Sequence, residues 1–273
     1  MINHRIVRHN QTVNPICHGF YTLKSRLEAA PLHRLECTDM EKIMKHDTKL
    51  TAQIEPQNDL YYAIHKALRL ANAEMLILIG QTDANDEASV TAMIKQLRAH
   101  LDICAKHLNH EDTHIHSALD ARSPGATGDA DEDHSEHHAV FNALDKLAHE
   151  LENSMSGKPM LLRRLYQRFA LFFAADLEHM HCEETEVMPA IARNFTPVEA
   201  QEIKGRIIAS ITPDELVATT RLMLKAASQP ERREMLRDMQ ASMPTEAFEE
   251  FMGQVTRIKW RVGDIDELER AIC

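Results

Sequence analysis

The sequence predicts an all-α protein, an antiparallel up-down-up-down four-helix bundle followed by an annex of short helices. Three observations predict it. The 273 residues include only 8 Gly and 10 Pro, while Leu, Ala, Met, Glu, Lys and Arg, all good helix formers, carry much of the composition. Apolar residues recur at steps of three and four over long windows. Proline-led helix starts then repeat through the last part of the chain.

Residues 1–57 carry neither a helical nor a strand period. Pro15, Pro31 and Pro56 break every window, so this stretch reads as a weakly ordered extension, with Met40 an alternative start. The helical period begins at Asp59, where Tyr61, His65, Leu68, Asn72, Met75 and Ile79 share one face and Gly80 ends the helix. A second helix, Asp86 to Leu119, carries Ile94, Leu97, Leu101, Cys104, Leu108, Ile115 and Leu119, and the loop from Ser123 to Asp129 follows.

The third helix, Asp131 to Met155, has the stripe His134, His137, Phe141, Leu144, Ala148, Leu151 and Met155. The run Ser156-Gly157-Lys158-Pro159 stops it. A fourth helix, Met160 to Arg193, carries Leu162, Leu165, Phe169, Phe172, Asp176, His179, Glu183, Val187 and Ala190. Together these form a bundle over residues 58–193, in which Met75, Met93, Met155 and Met160 read as core filler.

Over residues 194–273, Thr196-Pro197, Thr212-Pro213, Gln229-Pro230 and Ser242-Met243-Pro244 each mark a capped helix start. The resulting annex would be fastened to the bundle by Leu222, Leu224, Met235, Phe248, Phe251, Ile258 and Trp260. It contains no histidine, which places the chemistry elsewhere.

A net charge of −11 argues against nucleic-acid or anionic-membrane binding, since phosphate-rich surfaces would repel the chain. The apolar runs Met75–Ile79 and Phe169–Ala175 are too short to span a bilayer, and no signal pattern opens the chain, so a cytoplasmic protein is expected. The five cysteines, Cys17, Cys37, Cys104, Cys182 and Cys273, are scattered and read as reduced thiols.

The unusual feature is 17 histidines, most of them between His100 and His181. On the fourth helix the apolar stripe turns polar at Asp176, His179 and Glu183 without leaving its face. Residues four apart lie about 40° apart around a helix and about 6 Å along it, so His179 and Glu183 project together. A buried unpaired carboxylate is costly, and a cation offsets that cost. The second helix repeats the His-x3-Glu spacing at His107 and Glu111, with Asp112 following as Glu184 follows Glu183.

The third helix offers His134, His137 and His138, and the first offers His65. In an alternating bundle all of these fall at one level. Imidazoles mixed with carboxylates, in greater number than one tetrahedral zinc accepts, suit iron or manganese, with a two-iron centre the economical reading. Asp176 reads as a partner orienting an imidazole. His110, His114, His116 and His181 read as solvated or supporting, and Tyr61 and Tyr62 as packing residues or donors to a bound oxygen species.

These motifs resemble the hemerythrin-like HHE family in their order along residues 59–192: His65; His107 and Glu111 in HLNHED; His134 and His138 in HSEHHAVF; and His179 with Glu183 in HMHCEETEVMP. The resemblance implies a non-haem di-iron centre that binds or reduces dioxygen, nitric oxide or peroxide, with those residues as ligands. It leaves Glu184 as a competing bridge or a supporting acid, because members place the fourth-helix acid four or five residues after His, while His137, which continues the apolar stripe, stands as a substitute for His138. It also implies alternatives: an iron or oxygen sensor acting on a protein partner through the annex, or a role in iron-sulfur repair or iron handling. The cysteine-bearing N-terminal domain of the iron-sulfur-repair members is not matched by Cys17 and Cys37.

Overall fold

The computed structural model describes residues 54, 58–128 and 130–256. Every regular element among them is helical: α1 (Tyr62–Gln81), α2 (Glu87–His110), α3 (Ser117–Arg122), α4 (Ala130–Asn153), α5 (Lys158–Cys182), α6 (Met188–Asn194), α7 (Pro197–Ser210), α8 (Pro213–Ala226), α9 (Gln229–Ser242) and α10 (Thr245–Val255). Two π turns interrupt the long helices, Glu111–His116 between α2 and α3 and Glu183–Val187 between α5 and α6. The expectations for most of the N-terminal extension, for Cys17, Cys37 and Cys273 and for Ile258 and Trp260 lie outside the described residues.

Helices α1, α2, α4 and α5 close into a ring, with α1 and α4 each packed against both α2 and α5. Neighbours run in opposite directions. His65 meets Glu184 and Asn72 meets Asp176 along α1 and α5; His65 meets Glu111 and Asn72 meets His100 along α1 and α2. On the other side Arg98 pairs with Asp145 and Glu152 while His134 meets Asp112, and Phe141 packs on Phe172 as His134 packs on His179.

The apolar stripes converge in two clusters. The larger holds Leu68, Ile79, Ile94, Leu97, Leu144, Leu151, Leu165 and Phe169 and ends at Leu108 and Met180. The smaller holds Tyr61, Ile115, Leu119, Val187, Met188 and Ile191. Each fully buried aliphatic side chain stabilises the fold by about 1.5–3 kcal/mol, and between the two clusters lies the polar layer of His65, Glu111, His134, His179 and Glu183. The apolar clusters can therefore support this layer from both sides.

Met75 and Met93 are buried, but Met155 is 100% exposed and Met160 77% exposed, which corrects their reading as core filler. The stripe of α4 closes at Leu151, because the helix stops at Asn153 and the chain turns through Gly157 at φ 74°. Beyond that turn the helical period no longer says which way a side chain faces.

The C-terminal helices start where the Pro motifs stand. Thr196 and Glu199 form a reciprocal capping box at α7, Thr212 caps α8, and Ser228 with Glu231 caps α9. Helix α8 lies along α1 and carries α10 on it. Val217, Leu224, Leu236, Phe248, Met252 and Val255 form their core, with Met235 and Phe251 at its margin. Leu222 packs instead against the larger cluster of the long helices.

Candidate metal centre

Glu111 and Glu183 sit where the α-helical ladder loosens. At Glu111 the backbone N–H is shared by the carbonyls of His107 and Leu108, and at Glu183 by those of His179 and Met180. One turn on, Ser117 N–H bonds Asp112 O and Met188 N–H bonds Glu183 O, the five-residue step of a π turn. An ordinary helix would carry a residue five positions on about 140° off the face. The wider turn brings it back, and both Glu111 and His116, five apart, are buried.

The donors form two groups that share a carboxylate. His65, His107 and Glu111 bring ligand atoms within 4.8 Å of one another, and so do Glu111, His134, His179 and Glu183. His65 Nε2 stands 3.4 Å from Glu111 and 3.3 Å from Glu183, and His107 Nε2 lies 3.0 Å from Glu111. His134 Nε2 is 3.5 Å from Glu183, and His179 Nε2 is 3.4 Å from the same carboxylate.

In three of these histidines the other ring nitrogen faces a carboxylate outside the cluster, which constrains what the cluster can hold. His65 Nδ1 donates to Glu184 at 3.1 Å and His134 Nδ1 to Asp112 at 2.6 Å. His179 Nδ1 faces Asp133 at 3.4 Å. Because a carboxylate only accepts, each of these Nδ1 atoms carries the proton and each neutral ring presents an Nε2 lone pair inward. Yet Nε2 of His134 and Nε2 of His179 stand 3.1 Å apart. Oxygens Oε2 of Glu111 and both Oε1 and Oε2 of Glu183 are buried without a hydrogen-bond partner. Facing lone pairs and orphaned buried carboxylate oxygens repel unless a proton or cation lies among them, so the donor set fits a metal ion.

Without a metal, protons take that place. Burial disfavours the His65 cation, but Glu111, Glu183 and Glu184 outweigh it and hold its pKa well above the ordinary value. The same contest, burial against Asp112 and Glu183, lifts His116 to about 10. His134 and His179 are raised against burial too, chiefly through Glu183 for the first and Asp133 for the second. Burial wins at His107, which falls to about 4. Glu183 is pulled well below the carboxylate range, because His116, His134 and His65 outweigh its burial.

Of the residues singled out in the sequence, His65, His107, Glu111, His134, His179 and Glu183 are brought together. Glu184 is not in either group; it braces His65 and is itself gripped by Arg69 through two bonds of 2.6 and 3.1 Å. His138 is exposed and turns toward Phe141. Its neighbour His137 is buried, donates from Nδ1 to Asp133 O at 2.7 Å and points Nε2 toward Asp176 at 3.6 Å. Asp176 in turn accepts from Asn72 at 2.7 Å, and Asn72 meets His100 at 2.7 Å.

His116, read from the sequence as solvated or supporting, is only 3% exposed and reaches Glu183 at 3.5 Å. The signal for it was its place five residues after Glu111, legible only with the π turn in view. His110 and His114 face the C-terminal helices at Glu215 and Ser210. Tyr61 is buried and Tyr62 exposed.

No helix among the described residues is long and apolar enough to cross a membrane. No curated protein matches the chain. The hemerythrin HHE cation-binding domain matches residues 58–192, the span that supplies every donor above, and through that span the chain belongs to the hemerythrin HHE cation-binding family.

Proposed function

We propose that this chain holds a non-haem di-iron centre that binds or reduces a small oxidant, dioxygen, nitric oxide or peroxide, in the cytoplasm. The observation that carries this reading is Glu111, which belongs to both donor groups and so suits a carboxylate bridging two cations. In this reading residues 58–193 form an up-down-up-down bundle and residues 194–273 an annex on it.

Iron, when bound, supplies a reversible one-electron change and an open coordination position. The chain's own residues do the rest. His65, His107, His134 and His179 would hold it through nitrogen, and Glu111 and Glu183 through oxygen. Asp112 and Glu184 keep the protons of His134 and His65 on Nδ1, so their Nε2 lone pairs stay inward. The apolar clusters on either side exclude water and strengthen electrostatic interactions within the layer.

Elemental analysis of protein expressed with iron and handled anaerobically, followed by its optical spectrum on admitting air, tests the reading. About two irons per chain, as in other carboxylate-bridged centres inside helix bundles, and a new near-ultraviolet absorption are expected. Zinc, a single metal or none would overturn it.

A second reading is favoured by the ion pairs Lys66–Glu231, Lys225–Glu74 and Lys106–Glu215. They tie the C-terminal helices to α1 and α2, the helices that supply His65 and His107. Metal binding coupled to local stability would then be read by a protein partner through the annex. Pull-downs with and without chelator test this, with metal-dependent association expected.

A further inference from the structure

An open surface depression of about 300 Å³ lined by Asp112, His116, Ser117 and Asp120 lies beside the buried layer. Its two carboxylates are exposed, whereas His116 is buried. His116 links them to the centre: its Nδ1 is 3.5 Å from Asp112 and its Nε2 3.5 Å from Glu183. Its ring stacks on that of His134 with centroids 5.0 Å apart and planes 20° from parallel. Asp112, His116 and His134 also bring ligand atoms within 4.8 Å of one another, a third donor group that adjoins the centre through the shared His134.

We infer that Asp112, His116 and Asp120 form a transit site, at which an incoming divalent transition-metal cation exchanges water for protein donors before it reaches Glu183 and His134. Glu183 is 0% exposed and Glu111 2%, so a cation must lose its hydration shell to reach them, and an ion moved bare into the interior meets a cost of several kcal/mol. A graded series of donors lowers that barrier: carboxylates facing solvent, then a carboxylate with an imidazole, then the buried carboxylate. The mixture of imidazole and carboxylate selects first-row transition cations over calcium or magnesium, which prefer oxygen alone. The net charge of −11 favours the approach of any cation.

The inference rests on the proposed metal centre, and the test separates the two. Metal-free full-length chain is mixed anaerobically with cobalt(II) alone, the rate of appearance of its visible absorption is followed, and cobalt content is measured at completion. Asp120→Asn keeps the side-chain oxygen that accepts from Gly125 N–H at 2.8 Å and removes only the charge. His116→Gln removes the imidazole, and Asp83→Asn, an exposed acid between α1 and α2 at the far end of those helices, serves as the remote control. Asp112 is left intact because it also orients His134.

Filling is expected to slow about tenfold in His116→Gln and about threefold in Asp120→Asn, the latter effect shrinking as salt screens the charge. Asp83→Asn should fill as the parent does, and cobalt content at completion should equal the parent's in all three. Equal filling rates throughout would overturn the transit site while leaving the centre intact. Lower final cobalt in His116→Gln would make His116 a resident ligand and overturn the transit role. A parent chain that takes up no cobalt would overturn the centre and the transit site together.

Discussion

Asp112 accepts the Nδ1 proton of His134 at 2.6 Å, and Asp112 immediately follows Glu111. One π turn therefore places one carboxylate inside the cluster and the next one outside it, where it orients a histidine on the neighbouring helix α4. Glu183 and Glu184 repeat the pattern toward His65. Asp112→Ala frees the His134 ring to turn and to change tautomer. Metal affinity should fall by about 10–100-fold, measured by competition with a chromophoric chelator, with no loss of helix by circular dichroism.

Glu111 and Glu183 are the buried oxygens that a cation would satisfy. A ligand bound only by the folded state raises stability by about 2.7 kcal/mol at one hundred times its dissociation constant. Thermal unfolding with and without iron(II) should show that rise in the parent chain. In the double variant Glu111→Gln, Glu183→Gln the rise should vanish, because amide oxygens neither bridge nor balance the charge.

The metal-free protein should lose stability as the medium turns alkaline. His65, His116, His134 and His179 have folded pKa values above 6.5, reaching about 10 at His116. Such groups bind more protons folded than unfolded, so their contribution is complete below about pH 6.5 and is lost as pH rises through the folded values. His107, at about 4, is neutral in both states above pH 6.5 and does not offset the loss. Unfolding midpoints should fall steadily from pH 7 to 10 without metal. With metal in place of the protons the fall should largely disappear, and binding at pH 7 should release protons, seen by calorimetry in buffers of different ionisation enthalpy.

The long helices and the order of the donor motifs were legible because apolar periodicity and His-x3-Glu spacing both follow from regular helix geometry. His107 with Glu111, and His179 with Glu183, were visible for that reason. The π turns were not, since a local widening of the ladder barely disturbs the apolar stripe, so the sequence left His116 as solvated or supporting without showing its approach to Glu183. Sequence left both His137 and His138 open, because His138 fits the motif while His137 continues the α4 stripe; in the structure His137 is buried against Phe172 and His179, His138 is exposed, and neither belongs to a donor group. His138→Ala should leave metal content unchanged and shift stability by less than about 0.5 kcal/mol. His137→Ala should destabilise the chain and loosen the Asp176–Asn72–His100 network behind the centre, detected as faster amide exchange in α1 and α2.

Tyr61 poses a separate energetic problem, because its ring is wholly buried beside His65, at 5.1 Å between centroids, while its hydroxyl has no hydrogen-bond partner. Burial, then Glu183 and Glu111, push its pKa well above the ordinary value, so the phenol stays protonated with an unused O–H. An unsatisfied buried donor costs about 1–3 kcal/mol, whereas an apolar group of the same shape has no such penalty. Tyr61→Phe keeps the ring and its packing on Ile115 and Val187. Denaturant titration of the metal-free variant should show a gain of about 1 kcal/mol with an unchanged slope, and its metal content should match the parent chain's. A loss of stability instead would mean that the hydroxyl is bonded in solution, and would turn attention to Tyr61 as a polar group of the site.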